Sequence, residues 1–254
     1  MGKEKEALIK VRNIKKSFGG VIAVDDLSFD LLEGEVLGLI GPNGAGKTTI
    51  VSAITGFLRP DSGEVFFRDK KLTGLPPYKV AELGVTRTFQ IVRPYPSLKA
   101  YKSLIVPLWS SRARRFAGSR GGDRDAVAID LLEEVGFERD AYVPYKLASA
   151  LPLGYLKRLE LARCLALRPE VIICDEVFSG LSMSEIASMV PLLERLRMKG
   201  VTLLMIEHRL RELFSVANRV VVIDFGAKIA EGEPAQVMQD EKVKRAYLGD
   251  EIAP

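Results

Sequence analysis

Gly41-Pro42-Asn43-Gly44-Ala45-Gly46-Lys47-Thr48-Thr49 follows directly on the apolar run Val36-Leu37-Gly38-Leu39-Ile40. Together they form a G-x-x-x-x-G-K-T phosphate loop in the setting it requires, a strand before and a helix after. The glycines free successive backbone N–H groups to wrap phosphate oxygens, Lys47 adds a mobile cation, and the Thr48 hydroxyl is placed for Mg2+. The helix is expected to start at Gly46 or Lys47 and to run through Ile50-Val51-Ser52-Ala53-Ile54, so that the positive end of its dipole faces the anion. A nucleoside triphosphate is the ligand this pattern fits.

Kinases, GTPases, helicases and transport motors all share such a loop. The Asn-Lys-x-Asp tetrapeptide by which GTPases read guanine does not occur. Val171-Ile172-Ile173-Cys174-Asp175-Glu176 is an apolar run ending in two carboxylates, the pattern of a strand buried on both faces of a parallel sheet. Ligands in open α/β sheets bind at the carboxyl ends of the strands, where Asp175 and Glu176 emerge. Asp175 is placed to hold Mg2+ through water, and Glu176 to orient or deprotonate the attacking water. Val36–Ile40 and 201–206 read as further parallel core strands. The segments 8–13, 27–32 and 64–69 read as an early, largely antiparallel sheet, and the glycine-linked pair 220–225 and 228–230 adds two further strands. Leu156, Leu159, Ala162, Leu165 and Ala166 recur at helical spacing, and 184–199 predicts a second long helix ending at Gly200.

Between loop and acidic strand lies Leu151-Pro152-Leu153-Gly154-Tyr155-Leu156-Lys157-Arg158-Leu159-Glu160-Leu161-Ala162-Arg163. Here the chain resembles the ATP-binding-cassette (ABC) ATPases, whose signature is Leu-Ser-Gly-Gly-Gln followed by a basic helical stretch. The resemblance extends over nearly the whole chain: Phe18 sits where that family stacks an aromatic on adenine, Gln90 where its glutamine loop begins, Ser179-Gly180-Leu181-Ser182 at its D-loop, and His208 at its switch histidine. Thr86-Arg87-Thr88-Phe89-Gln90, Arg93-Pro94-Tyr95-Pro96-Ser97-Leu98 and the stretch from Gly226 to Pro234 look like the ATPase subunits of branched-chain amino-acid importers, among whose relatives are carriers of urea, amides and other small polar solutes.

This resemblance implies an α/β P-loop NTPase fold: a RecA-like parallel core, an antiparallel β subdomain and a helical signature subdomain over about 97–165, all in one domain spanning 1–254. It implies ATP and Mg2+ as cofactors. Phe18, Val24 and the loop Gly41, Pro42, Asn43, Gly44, Ala45, Gly46, Lys47, Thr48 and Thr49 would bind nucleotide. Thr48, Gln90 and Asp175 would arrange Mg2+, while Glu176, His208 and Lys47 would serve catalysis. Leu151, Pro152, Leu153 and Gly154 would meet the ATP of a second ABC ATPase subunit, identical or homologous. Transmembrane permease subunits and a periplasmic or extracellular solute-binding protein are the other implied partners, with the chain peripheral on the cytoplasmic side of the cell membrane. A surface from Gln90 to Leu98, including Arg93 and Tyr95, would receive the permease.

Several positions depart from the family pattern. Pro152 replaces the signature serine; it is expected to serve as the first residue of the helix, where its missing N–H has no intrahelical partner, leaving the Leu153 and Gly154 N–H groups for phosphate. Tyr155, Val177 and Ser182 replace a glutamine, a proline and an Asp or Asn. These changes bear on turnover more than on nucleotide binding, and they leave a low-activity or regulatory cassette as the alternative reading. Chromosome and DNA-repair ATPases share the cassette, but they split it with long coiled coils and no sustained heptad run occurs here.

Composition fits one compact unit. The 254 residues are ample for a sizeable core. The two cysteines, Cys164 and Cys174, lack metal-ligand spacing and read as small core residues in a reducing compartment. A net charge of +4 is modest and points to a solvated surface rather than a nucleic-acid footprint. The charged start, Met1 to Glu6, lacks the apolar stretch of a signal peptide, and no segment has membrane-span length. The basic, turn-rich stretch 110–122 is expected to be a flexible solvated loop, with contact to anionic lipid or a membrane subunit as the sharper reading.

Overall fold

Two long strands joined by Gly19-Gly20 begin the described part of the chain, which in the computed structural model comprises residues 6–92, 94–116 and 123–248. They are β1 (Ala7–Phe18) and β2 (Val21–Leu32), followed by β3 (Val36–Ile40), α1 (Lys47–Ile54), β4 (Ser62–Phe67), β5 (Lys70–Lys71), α2 (Pro77–Leu83) and β6 (Val85–Arg87). Three helices follow: α3 (Ile105–Leu108), α4 (Ser111–Phe116) and α5 (Arg124–Glu134). The second half runs α6 (Leu153–Leu165), β7 (Val171–Asp175), α7 (Met183–Met198), β8 (Thr202–Ile206), α8 (Leu210–Val216), β9 (Arg219–Asp224), β10 (Ala227–Gly232), α9 (Pro234–Val237) and α10 (Glu241–Leu248).

The strands form two sheets, one antiparallel in the order β2-β1-β4-β5 and one in the order β10-β9-β3-β8-β7-β6. In the second, β6, β7, β8, β3 and β9 are parallel and only β10 runs against its neighbour. The apolar runs of its central strands follow from burial on both faces. Ile172 and Cys174, Leu203 and Met205, and Val220 and Val222 point into one core with α6, α7 and the helices before α6. Their alternates, Val171 and Ile173, Leu204 and Ile206, and Val221 and Ile223, point into the other with α1 and the antiparallel sheet. Each fully buried side chain of this size contributes roughly 2 kcal/mol. Gly38 is required where β3 meets this packing, because a Cβ there would lie 2.9 Å from Val220 Cγ1. The first core is continuous from the parallel sheet into Leu104, Leu131, Phe137 and Val143, so the helical middle of the chain shares its buried cluster with the sheet.

The expected strands all form; the first two are longer than anticipated, and the one expected over 64–69 lies at Ser62–Phe67. The β-rich segment 84–89 pairs only over Val85–Arg87. Thr88 then turns its hydroxyl to the Asp175 N–H (3.2 Å). The basic stretch corrects the expectation of a flexible loop: Ser111–Phe116 is helix α4, and Arg112 is buried. Its guanidinium donates to Arg168 O (2.9 Å), Leu83 O (2.8 Å) and Glu170 Oε1 (3.1 Å). Arg112 therefore anchors α4 to the last residue of α2 and to the turn after α6 and does not face a membrane. Residues 117–122, Arg93 and the first five residues lie outside the described part.

Candidate active site

The phosphate loop leaves β3 at Gly41, whose φ of +155° and close approach to Ile223 O, 2.0 Å from where a Cβ would stand, admit no side chain. It ends at Gly46, the left-handed N-cap of α1, where a Cβ would lie 2.3 Å from Ala23 O. Asn43, Gly44 and Thr48 are exposed, Pro42, Gly46 and Thr49 are half-buried, and Ala45 and Lys47 are buried. Lys47 Nζ donates to Gly41 O (2.6 Å) and Pro42 O (2.8 Å). Burial lowers its pKa, against the opposing charges of Glu176 and Asp175. Its ammonium is thus lodged on loop carbonyls, with two carboxylates for company.

Gln90, Glu176 and His208, far apart in sequence, converge. Glu176 has a left-handed φ of +52°, which turns its side chain off the strand direction of β7. Its Oε1 accepts from His208 Nε2 (2.9 Å) and its Oε2 from Gln90 Nε2 (2.8 Å). Asp175, in the last position of β7, is buried and pairs through Oδ2 with Arg87 Nη2 at 2.6 Å. The parallel register of β6 on β7 brings Arg87 there, and its other amino group reaches Ser52 Oγ on α1 (3.3 Å). Thr48, Asp175 and Gln90 supply hydroxyl, carboxylate and amide oxygen, the hard donors Mg2+ takes. Among the described residues no group of three His, Cys, Asp or Glu forms a self-contained metal cage; one or two carboxylates plus substrate phosphates suffice for Mg2+.

Phe18 ends β1 at the Gly19-Gly20 turn with its ring half exposed and Lys16 Nζ 5.4 Å from the ring centre. Val24 corrects the sequence expectation: it is fully buried in the second core and packs beside Gly46, so it supports the loop from beneath and presents no surface to a nucleotide.

The signature stretch needs two further corrections. Pro152 is the N-cap of α6, with φ −56° and ψ 158°, and Leu153 is the first helical residue. The Gly154 N–H is not free: it is hydrogen-bonded by the Glu185 carboxylate. A Cβ at Gly154 would lie 2.4 Å from Glu185 Oε1. Leu151 is buried and Leu153 is largely exposed. Two of the family departures have structural roles. Ser182 closes a capping box with Glu185 at the start of α7, and Val177 is buried in the first core. The Tyr155 ring packs edge-on against Phe137 at 5.1 Å.

Residues not singled out from the sequence complete the site. Lys157, buried on α6, donates to Gln90 O (3.0 Å) and Glu176 O (2.9 Å). Glu160, one turn on, accepts the Phe89 N–H through Oε2 (3.2 Å) and pairs with Arg163. Glu207, buried beside His208, accepts the Phe178 N–H through Oε1 (2.9 Å). The Tyr247 hydroxyl on α10 meets the backbone of Gly41. An open cleft of about 620 Å³ between the loop and α10 is lined by Pro42, Asn43, Phe225, Lys242 and Arg245. The sequence signal for these groups was charge inside a patterned apolar run, as in Leu156-Lys157-Arg158-Leu159-Glu160.

Residues 24–179 match the family described as ABC transporter, and residues 227–253 match that described as branched-chain amino acid ATP-binding cassette transporter. The chain is 36% identical over 258 residues to the high-affinity branched-chain amino acid transport ATP-binding protein LivG of Salmonella typhimurium, covering 96% of this chain and 99% of that one. It is 35% identical over 253 residues to the high-affinity branched-chain amino acid transport ATP-binding protein BraF of Pseudomonas aeruginosa, covering 96% and 98%. A crystal structure of a nucleotide-free ATP-binding cassette from an ABC transporter superposes with a TM-score of 0.84 at 30% identity, over 96% of this chain and all of that one.

Proposed function

The chain belongs to the ATP-binding cassettes of ABC transporters, and from that premise we propose that it is the Mg-dependent ATPase subunit of an importer for branched-chain amino acids or a related small polar solute. The observation that carries the catalytic part is the Glu176 carboxylate held between His208 and Gln90 at 2.9 and 2.8 Å. A carboxylate fixed at both oxygens is oriented to accept a proton from a water beside the γ-phosphate. Lys47 transfers its donors from the Gly41 and Pro42 carbonyls to the phosphates, joined by the loop N–H groups. Mg2+, when bound, neutralises phosphate charge, and Thr48, Asp175 and Gln90 are the residues that would hold it. Phe18 stacks on the base.

Leu151 to Gly154 at the start of α6 face the nucleotide of a second cassette, identical or homologous. For the Gly154 N–H to serve that phosphate, Glu185 has to yield its hydrogen bond, an exchange of one anion for another at a helix N-terminus. Loss of the bridging phosphate then relaxes the pair, since each state is favoured by its own contacts. No helix among the described residues is long and apolar enough to cross a membrane; attachment at the cytoplasmic face runs through permease subunits, over the partly exposed Phe89, Ile91, Tyr95 and Leu98. A solute-binding protein delivers the solute on the other side. The helices of about 97–165 act as the signature-bearing subdomain.

Light scattering of Glu176→Gln with and without Mg-ATP, beside steady-state hydrolysis by the unmodified chain, tests this reading. The variant is expected to dimerise on ATP and the unmodified chain to turn over. Binding without dimer or turnover, also in the assembled transporter, would instead make this a regulatory cassette that relies on a more active partner.

A further inference from the structure

The peptide group after Glu176 is gripped from both ends. Its carbonyl oxygen accepts from Lys157 Nζ at 2.9 Å, and the N–H groups of Val177 and Phe178 are directed to the Glu207 carboxylate, the latter at 2.9 Å. The same Lys157 ammonium donates to the Gln90 carbonyl at 3.0 Å. Glu160, on the same helix, takes the N–H of Phe89 at 3.2 Å. The two backbone segments that deliver the Gln90 and Glu176 side chains to each other are therefore tied through one cation, and that cation is carried by the helix whose first turn is the signature.

Such a tie is costly to build. Lys157 and Glu207 are each 3% exposed, and an ammonium removed from water has to be compensated by acceptors and opposing charge. Lys157 has two carbonyl acceptors and faces the carboxyl groups of Glu207, Glu160, Glu176 and Asp175. The conformation it stabilises is also strained, since Glu176 holds φ +52° without being glycine. A strained backbone persists where its surroundings over-determine it, and Lys157 and Glu207 provide that here.

We propose that Lys157 is a positioning residue for the hydrolytic step: by bridging the Gln90 and Glu176 carbonyls it sets the mutual geometry of those side chains and makes it depend on where the signature helix sits. This rests on the reading of Glu176 as the carboxylate that orients water. Lys157 acts through these two backbone carbonyls. When α6 shifts against the parallel sheet, the Lys157 ammonium moves relative to one carbonyl or the other, and the Gln90 to Glu176 contact moves with it.

Two measurements on the purified full chain test the proposal. Hydrogen exchange in the absence of nucleotide is expected to quicken about tenfold in Lys157→Met over both 88–91 and 176–179, with the phosphate loop unchanged. Steady-state kinetics of the same variant should show kcat down about a hundredfold with ATP affinity within about threefold of the unmodified chain, and Lys157→Arg should recover most of the loss. Unaltered exchange in either segment overturns the proposal, as does a parallel fall of kcat and ATP affinity. If Lys157→Met does not fold, Lys157→Gln is read by the same criteria. The exchange readout needs no turnover, so failure of the unmodified chain to hydrolyse ATP counts against the ATPase reading alone.

Discussion

Burial, followed by the charge of Glu176, pushes the Glu207 carboxyl up to about 8, against the opposing pull of the Phe178 and Val177 N–H groups and of Lys157. The folded chain thus keeps a proton there that the unfolded chain, with a carboxyl near 4.5, has released. A raised carboxyl pKa makes stability fall as pH climbs from the unfolded value through the folded one, and the loss is complete above it. Glu207→Gln cannot ionise and should flatten that part of the profile. Relative to the unmodified chain, its urea midpoint is expected to gain by the equivalent of a few kcal/mol between about pH 5 and about pH 9. Equal slopes for the two proteins would show that Glu207 is not the titrating group. At this scale the sequence was legible where a motif names the atom and illegible where burial does. Lys47, Gln90, Asp175, Glu176 and His208 are found by their place in a pattern. Arg87, Lys157 and Glu207 are charged residues that reach the site only through a strand register or a helix face, and Val24 is hidden by the same packing.

The helices and strands obey local chemistry more closely than the individual side chains do. The central strands β3, β7, β8 and β9 are legible because two-sided burial leaves an unbroken apolar run, and α7 because Ser182 and Glu185 write a capping box before it. Helix α4 was illegible for a specific reason. Ser111-Arg112-Ala113-Arg114-Arg115 has the composition of a solvated loop, and it becomes a helix because Arg112 satisfies the carbonyls of Leu83, which ends α2, and Arg168, which follows α6. Removing that guanidinium leaves two acceptors and Glu170 without it. Arg112→Ala is therefore expected to cost about 2–3 kcal/mol in urea unfolding, whereas Arg114→Ala, on the exposed side of the same helix, should stay within about 0.5 kcal/mol. Equal effects from the two substitutions would return this segment to a surface loop.

Across the whole molecule, the candidate nucleotide site lies on the seam between the two cores. Phe18 belongs to the antiparallel sheet, the loop and α1 close the second core, and Asp175 ends a strand that feeds both. The C-terminal helix α10 touches the loop through Tyr247 and Gly41. The first core continues without a break from the parallel sheet into the helices before α6, so a ligand that steadies the seam steadies the rest of the chain. Linkage sets the size of the effect: ATP at a hundredfold its Kd stabilises the folded state by about 2.7 kcal/mol, which for a chain of this length is roughly 5–10 °C in Tm. Calorimetry should show one transition that moves upward by that amount with Mg-ATP, and no shift in Lys47→Ala, whose loop lacks the cation for the phosphates. Two transitions, of which one alone moves, would mean that the helical middle unfolds as a separate unit. The shared core would then be a docking face between subdomains, and the signature helix would be free to move without melting the site it serves.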